Sequence, residues 1–127
     1  MSTPLLYACN WKMYMSVQEE LMLFEQHKDG YTQLATQATI ALFPSYLALP
    51  TIAASHPLIK HGAQDCSDAP QGAYTGQISA KSLAQLGCTY CIIGHSERRK
   101  LGETSELIAL KMVRLYENNI IDRKSVV

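Results

Sequence analysis

Thr89-Tyr90-Cys91-Ile92-Ile93-Gly94-His95-Ser96-Glu97-Arg98-Arg99 is the stretch whose reading decides the fold. Its first half is a short apolar run of β-branched and aromatic residues, the pattern of a strand buried on both faces. Gly94 ends the run, where a residue without Cβ lets the backbone turn or approach a neighbour closely. Ser96 is expected to cap a helix, with Glu97 in its first turn. His95 then stands where a strand meets the positive end of a helix, which favours the neutral imidazole over the imidazolium. A neutral imidazole there can donate a hydrogen bond to a developing oxyanion. The alternative reading is a capping histidine beside a surface ion-pair cluster, and this stretch alone leaves both open.

The same strand-then-polar pattern recurs upstream. Leu5-Leu6-Tyr7-Ala8-Cys9 reads as a strand, followed at once by Asn10-Trp11-Lys12. Ser16 and Glu19 form a capping box, and Val17, Leu21 and Phe24 make the apolar stripe of the helix it opens. Asp29-Gly30 is expected to end that helix, with His27 in its last turn. Residues 38–43 are a second strand, and 46–55 a short helix interrupted near Pro50. His56-Pro57 is a loop, and His56 has no assigned role. Residues 58–64 are a third strand, less regular because Lys60 and His61 lie inside it. The polar stretch 65–77, with Pro70, Gly72 and Gly76, is too long for a routine connection and implies function or mobility. A helix over 79–86 closes at Gly87, and the opening stretch supplies the fourth strand. Residues 101–119 are mostly helix, with Ile108, Met112 and Leu115 inward and Lys111 and Arg114 toward water. Four β-α units in series predict a parallel sheet with helices packed on it.

Composition narrows the class. The chain has 127 residues, of which 47% are hydrophobic, enough for one domain of ordinary soluble type. Eleven basic and eleven acidic residues cancel, so no basic field attracts nucleic acid or anionic lipid. No apolar run approaches the roughly 18 residues of a membrane span. Met-Ser-Thr-Pro lacks the features of a signal peptide, so a cytoplasmic protein is expected. Cys9, Cys66, Cys88 and Cys91 suggest no disulfide framework. Cys88-x-x-Cys91 lacks a second ligand pair for zinc, and both thiols read as small buried hydrophobes, on opposite faces if the strand begins at Cys88. A deaminase-type zinc site would need its Pro-Cys-x-x-Cys after the His-x-Glu, whereas here the Cys pair comes first. No metal and no cofactor are therefore expected.

Polar groups gather after strand one (Asn10, Lys12), strand three (Gln64, Asp65) and strand four (His95, Glu97), which are neighbouring positions on the catalytic face of a β/α barrel. Together, Asn10-Trp11-Lys12-Met13, Gly72-Ala73-Tyr74-Thr75-Gly76 and Ile93-Gly94-His95-Ser96-Glu97-Arg98-Arg99 closely resemble the triosephosphate isomerase family, in register from residue 5 to about 121. The resemblance implies an α/β fold of the TIM (β/α)8-barrel type, with this chain covering about the first four β-α units. It implies interconversion of dihydroxyacetone phosphate and D-glyceraldehyde 3-phosphate through an enediolate, in glycolysis and gluconeogenesis. By the same resemblance His95 would be the electrophilic catalytic histidine, and this family is itself the standard example of a histidine kept neutral by a helix N-terminus. Lys12 would hold substrate phosphate, and Asn10 would fix substrate and lysine. Glu97 would support Lys12 from behind or handle protons, and Thr75 would sit on the loop that interlocks two subunits of a homodimer.

The chain also departs from the family. Cys9 replaces a usual glycine, and Tyr14 a small polar residue. The barrel needs eight units and roughly 250 residues. The expected fifth-strand motif gives way to Asp122-Arg123-Lys124-Ser125-Val126-Val127, and three consecutive charges do not suit a strand buried on both faces. The tail is thus either an exposed edge or foreign to the fold, and the second is the preferred expectation. On that reading 1–127 is a single incomplete barrel domain, barrel-like over 1–121 with a divergent tail at 122–127, a shortened or frame-disrupted copy. The family's glutamate base, lid and phosphate loops are not among these residues, so the chain alone is expected to be inactive. The alternative is a non-catalytic half-barrel that associates with itself.

Overall fold

Five strands pair in parallel, in chain order, as the alternation of apolar runs and amphipathic segments requires. The computed structural model describes residues 5–55 and 58–124, so His56, Pro57 and the tail beyond Lys124 lie outside the described residues. The elements are β1 (Leu6–Asn10), α1 (Val17–Leu34), β2 (Thr39–Phe43), α2 (Leu49–Ser55), β3 (Lys60–Ala63), α3 (Ala80–Gln85), β4 (Tyr90–Ile93), α4 (Ser96–Lys100), α5 (Ser105–Glu117) and β5 (Ile121–Lys124). Because neighbours in sequence are neighbours in the sheet, crossovers of one hand place the helices on one face. This is the α/β architecture of a partial TIM barrel.

Alternation along each strand divides the apolar side chains between the two faces. Ile40 and Leu42 of β2 pack with Trp11, Phe24 and Ile52 on the helix side. Cys91 and Ile93 of β4 pack with Leu83, Ile108 and Leu115. The opposite face carries a smaller cluster of Ala41, Phe43 and Ile92, flanked by Leu6 and Tyr90. Phe43 lies directly over Gly62, where a Cβ would meet the ring at 2.2 Å. Only glycine fits beneath the ring as it stands.

Several expectations need correction. The capping box at Ser16 and Glu19 forms as expected, but α1 runs past Gly30 to Leu34. Tyr31 and Ala35 pack on the α1–β2 cluster, and their burial offsets the weak helix propensity of one glycine. His27 accordingly sits well before the last turn, with its ring 6.4 Å from that of Tyr31. Glu20 joins the inward face, accepting from the Ser45 backbone N–H at 2.7 Å and the Ser45 hydroxyl at 2.5 Å. Pro50 does not interrupt a helix; it falls in the first turn of α2, where its missing N–H is not needed. The helix after Gly94 is capped by His95 rather than Ser96, as the capping-histidine reading has it. β4 begins at Tyr90, and Cys88 and Cys91 lie in one cluster with Cys66 rather than on opposite faces. Burial pushes the Cys88 thiol up to about 11, as expected of an inert buried cysteine.

Lys111 does not face water. It is buried on the inward side of α5 between Ile108 and Leu115, while Met112 is exposed. Its ammonium reaches Asp65 Oδ1 at 2.8 Å and also pairs with Glu103. Burial opposes its charge, but the hydrogen bonds to Asp65 and Glu103 prevail and hold its pKa above the ordinary lysine value. At the tail, the exposed-edge alternative describes residues 122–124. Asp122, Arg123 and Lys124 belong to β5, paired with Cys91, Ile92 and Ile93. Among the described residues β5 is the edge of the sheet, neither Asp122 nor Arg123 is buried, and the Arg123 guanidinium lies 5.5 Å from the centre of the Tyr90 ring.

Two glycines give opposite predictions. Gly62→Ala should destabilise the chain by about 1–3 kcal/mol, because Phe43 must move. Gly30→Ala, with nothing within 4 Å of its added Cβ, should stabilise α1 by about 0.5–1 kcal/mol. Urea midpoints measure both. Lys111→Ala leaves the buried Glu103 carboxylate without its cation, while Asp65 keeps Arg98 at 3.3 Å, and should cost about 3 kcal/mol on the same measurement.

Candidate functional site

Strand ends build the site. Parallel pairing brings the residues that follow β1, β2, β3 and β4 to one rim of the sheet. The Phe43 carbonyl at the end of β2 accepts the Trp11 N–H at 3.1 Å and the Gln64 side-chain amide at 3.0 Å. Gln64 also donates to the Lys12 carbonyl at 3.0 Å. The Lys12 N–H donates to Asn10 Oδ1 at 3.0 Å. Lys12 itself has φ +53°, in the left-handed region that costs a residue with a Cβ about 1–3 kcal/mol. Its peptide is therefore held at both ends in a conformation it would not choose.

That conformation projects the Lys12 ammonium across to α4, where it meets Glu97 Oε1 at 2.9 Å. Gly94, at φ +63°, makes the turn out of β4, and a Cβ there would lie 3.1 Å from Ile108. The turn is further fixed by Arg99, whose Nε donates to the Gly94 carbonyl at 3.0 Å. His95 follows as N-cap, its Nδ1 accepting the Glu97 backbone N–H at 3.1 Å. Since Nδ1 accepts, the ring proton resides on Nε2, and the ring is neutral. The 3.6 Å approach of Glu97 Oε2 to Nδ1 is therefore not an ion pair.

The structure thus brings Asn10, Lys12, His95 and Glu97 together on one rim. Thr75 is not among them. It is exposed on the loop between β3 and α3. The base of that loop is closed by Ser67 N–H to the Ile78 carbonyl at 2.8 Å and by Ser67 Oγ to Gln77 Oε1 at 2.6 Å. Gln64 carries more of the geometry than its sequence context suggested. The only signal was its place, with Asp65, at the polar end of strand three.

An N–H donor on a neutral imidazole beside an ammonium can stabilise oxygen-centred negative charge. The cluster offers no free base, because Glu97 is engaged with Lys12. The hydrogen bond and charge of Lys12 hold the Glu97 carboxyl below the usual glutamate range, and Glu97 in turn raises Lys12. The Glu97 side chain is 56% exposed, so the cluster lies open to solvent. Among the described residues no three His, Cys, Asp or Glu side chains lie close enough to hold a metal ion, and no helix is long and apolar enough to cross a membrane.

The pair has a defined pH window. Lys12 is raised on folding, so its stabilisation is present below the ordinary lysine value and is lost as pH rises through the raised one. Glu97 is lowered, so its stabilisation is present above the ordinary glutamate value and is lost as pH falls through the lowered one. Glu97→Gln should return the Lys12 ammonium to the titration of a free lysine. NMR of 13C-methylated lysine amines reads this directly, with Lys28, paired to Glu25 at 2.7 Å, as the unchanged control.

Comparison with known proteins identifies the family. The family model described as triosephosphate isomerase matches residues 5–122. Triosephosphate isomerase of Thermus thermophilus is 42% identical over 118 residues, covering 91% of this chain and 46% of that protein. That of Cupriavidus necator is 42% identical over 113 residues, covering 88% and 45%. That of Coxiella burnetii is 43% identical over 110 residues, covering 84% and 43%. The chain spans less than half the length of these curated relatives. With the family model spanning nearly all of the chain and the partial barrel in agreement, the chain belongs to the triosephosphate isomerase family.

Proposed function

We propose that the rim cluster is the electrophilic half of an aldose–ketose isomerase site acting on a phosphorylated triose. The reaction would interconvert dihydroxyacetone phosphate and D-glyceraldehyde 3-phosphate in the cytoplasmic pathways of glycolysis and gluconeogenesis. The observation that carries this reading is the neutral His95, with its donor free on Nε2, seated beside the Lys12–Glu97 pair. In this reading a base removes a carbon-bound proton, and the enediolate oxygens take hydrogen bonds from His95, which passes a proton between them. Lys12 offsets the negative charge of phosphate and enediolate. Asn10 keeps the Lys12 N–H occupied and faces the substrate. Glu97 holds the ammonium in place from behind.

Residues 1–127 would act as one incomplete barrel domain. They hold no carboxylate suited to the base role, since Glu97 is occupied by Lys12 and belongs to the electrophilic side. Loss of a general base typically costs about 10²–10⁴ in rate. Lost closure and phosphate contacts remove further binding energy from the same step. The 127 residues by themselves should therefore turn over little or no substrate. Thr75, exposed on its long loop, suits a role in interlocking two subunits of a homodimer.

One observation favours a second reading, a non-catalytic half-barrel that associates with itself. Both edges of the sheet expose apolar residues, Leu5 and Tyr7 at β1 and Ile121 in β5. A coupled isomerase assay run alongside size-exclusion chromatography separates the two, with the Lys12 amine resonance followed as triose phosphate is added. The expected result is negligible turnover from the chain alone, with a Lys12 resonance that shifts on addition of triose phosphate. Turnover near that of a full-length family member would overturn the inactivity of the isolated chain. A discrete oligomer without triose-phosphate binding would favour the second reading.

A further inference from the structure

We propose that Gln64 is a positioning residue for Lys12: its side-chain amide pins the Lys12 peptide in the left-handed conformation and so aims the Lys12 side chain across the rim. The proposal rests on the reading of Lys12 as the cation that meets substrate. Gln64 follows β3, whereas Lys12 follows β1, so the contact reaches over β2. One amide nitrogen supplies both bonds, to the Lys12 carbonyl and to the Phe43 carbonyl, each at 3.0 Å. The Phe43 carbonyl is shared with the Trp11 N–H, which precedes Lys12 directly. The turn is thus gripped at three successive peptides: Trp11 by Phe43, the Lys12 N–H by Asn10, and the Lys12 carbonyl by Gln64.

The remaining rim contacts make the consequence specific. Glu97 approaches Lys12 only through the end of the side chain, and it does nothing to fix the backbone. Asn10 comes from the residue two positions before Lys12 and moves with the same turn. Gln64 is the contact that refers the Lys12 carbonyl to another strand. A residue at φ +53° that loses such a brace relaxes toward negative φ, and rotation about that bond swings the side chain off its line to Glu97. Gln64 touches no reacting atom; it acts on the site through the direction of Lys12.

Gln64→Met tests this, since it keeps the length of the side chain and removes both donors. In the full 127-residue chain with 13C-methylated lysines, the raised titration of Lys12 should fall back to that of a free lysine. Lys28, paired on α1, should not move. An unchanged Lys12 titration in the folded variant would overturn the proposal, as would an equal shift at Lys28. Because the readout is a titration, failure to bind or turn over a triose phosphate counts against the proposed function and leaves this test intact. Urea unfolding gives a second, independent test in the Lys12→Gly background, where glycine adopts positive φ freely. The midpoint lost to Gln64→Met should shrink there, since no strained residue remains to be held. An equal loss in both backgrounds would assign Gln64 a general structural role and overturn the proposal.

Discussion

The carbonyl of Phe43 is the point on which the rim depends. It accepts from Trp11 at 3.1 Å and from Gln64 at 3.0 Å, so the ends of β1, β2 and β3 meet at one oxygen. A buried carbonyl with two lone pairs can take both donors, and losing either would leave polar groups unsatisfied near the core. The same residue turns its ring to the other face, over Gly62. One residue therefore fixes both how closely β2 and β3 approach and where the turn after β1 lies. The turn that carries Lys12 takes its place from that arrangement, and its ammonium meets Glu97 across the rim, where the Gly94 turn and the His95 cap set α4.

The polar rim was legible in the sequence because a parallel sheet concentrates chemistry where strands stop. Asn10-Trp11-Lys12 and Gly94-His95-Ser96-Glu97 each begin where an apolar run ends, and each lands on the rim. What sequence could not supply was the partner across the sheet. Ser96 looked like the cap because serine is the usual choice, yet His95 Nδ1 takes that bond and leaves Nε2 with the proton. Gln64 looked like one polar residue among several, since nothing local shows that it reaches over a whole strand.

The misread elements share a cause as well. Local propensity would stop α1 at Gly30, but the packing of Tyr31 and Ala35 carries the helix on. Charge would send Lys111 to water, but Asp65 and Glu103 await it under α5. Three consecutive charges do not suit a strand buried on both faces, but among the described residues β5 is an edge, and the Arg123 guanidinium settles over the Tyr90 ring. In each case a contact distant in sequence outweighs a local preference of about 1 kcal/mol. The first four strands, their parallel pairing and the capping box at Ser16, which rest on local periodicity, needed no such contact.

The central claim is that this chain pre-forms a neutral histidine donor beside a paired lysine. Long-range 1H–15N correlation of the His95 ring at neutral pH tests it most directly. The account predicts a single Nε2–H tautomer, with the Nδ1 resonance typical of an unprotonated nitrogen accepting a hydrogen bond. A ring protonated on Nδ1, or carrying protons on both nitrogens, would contradict it.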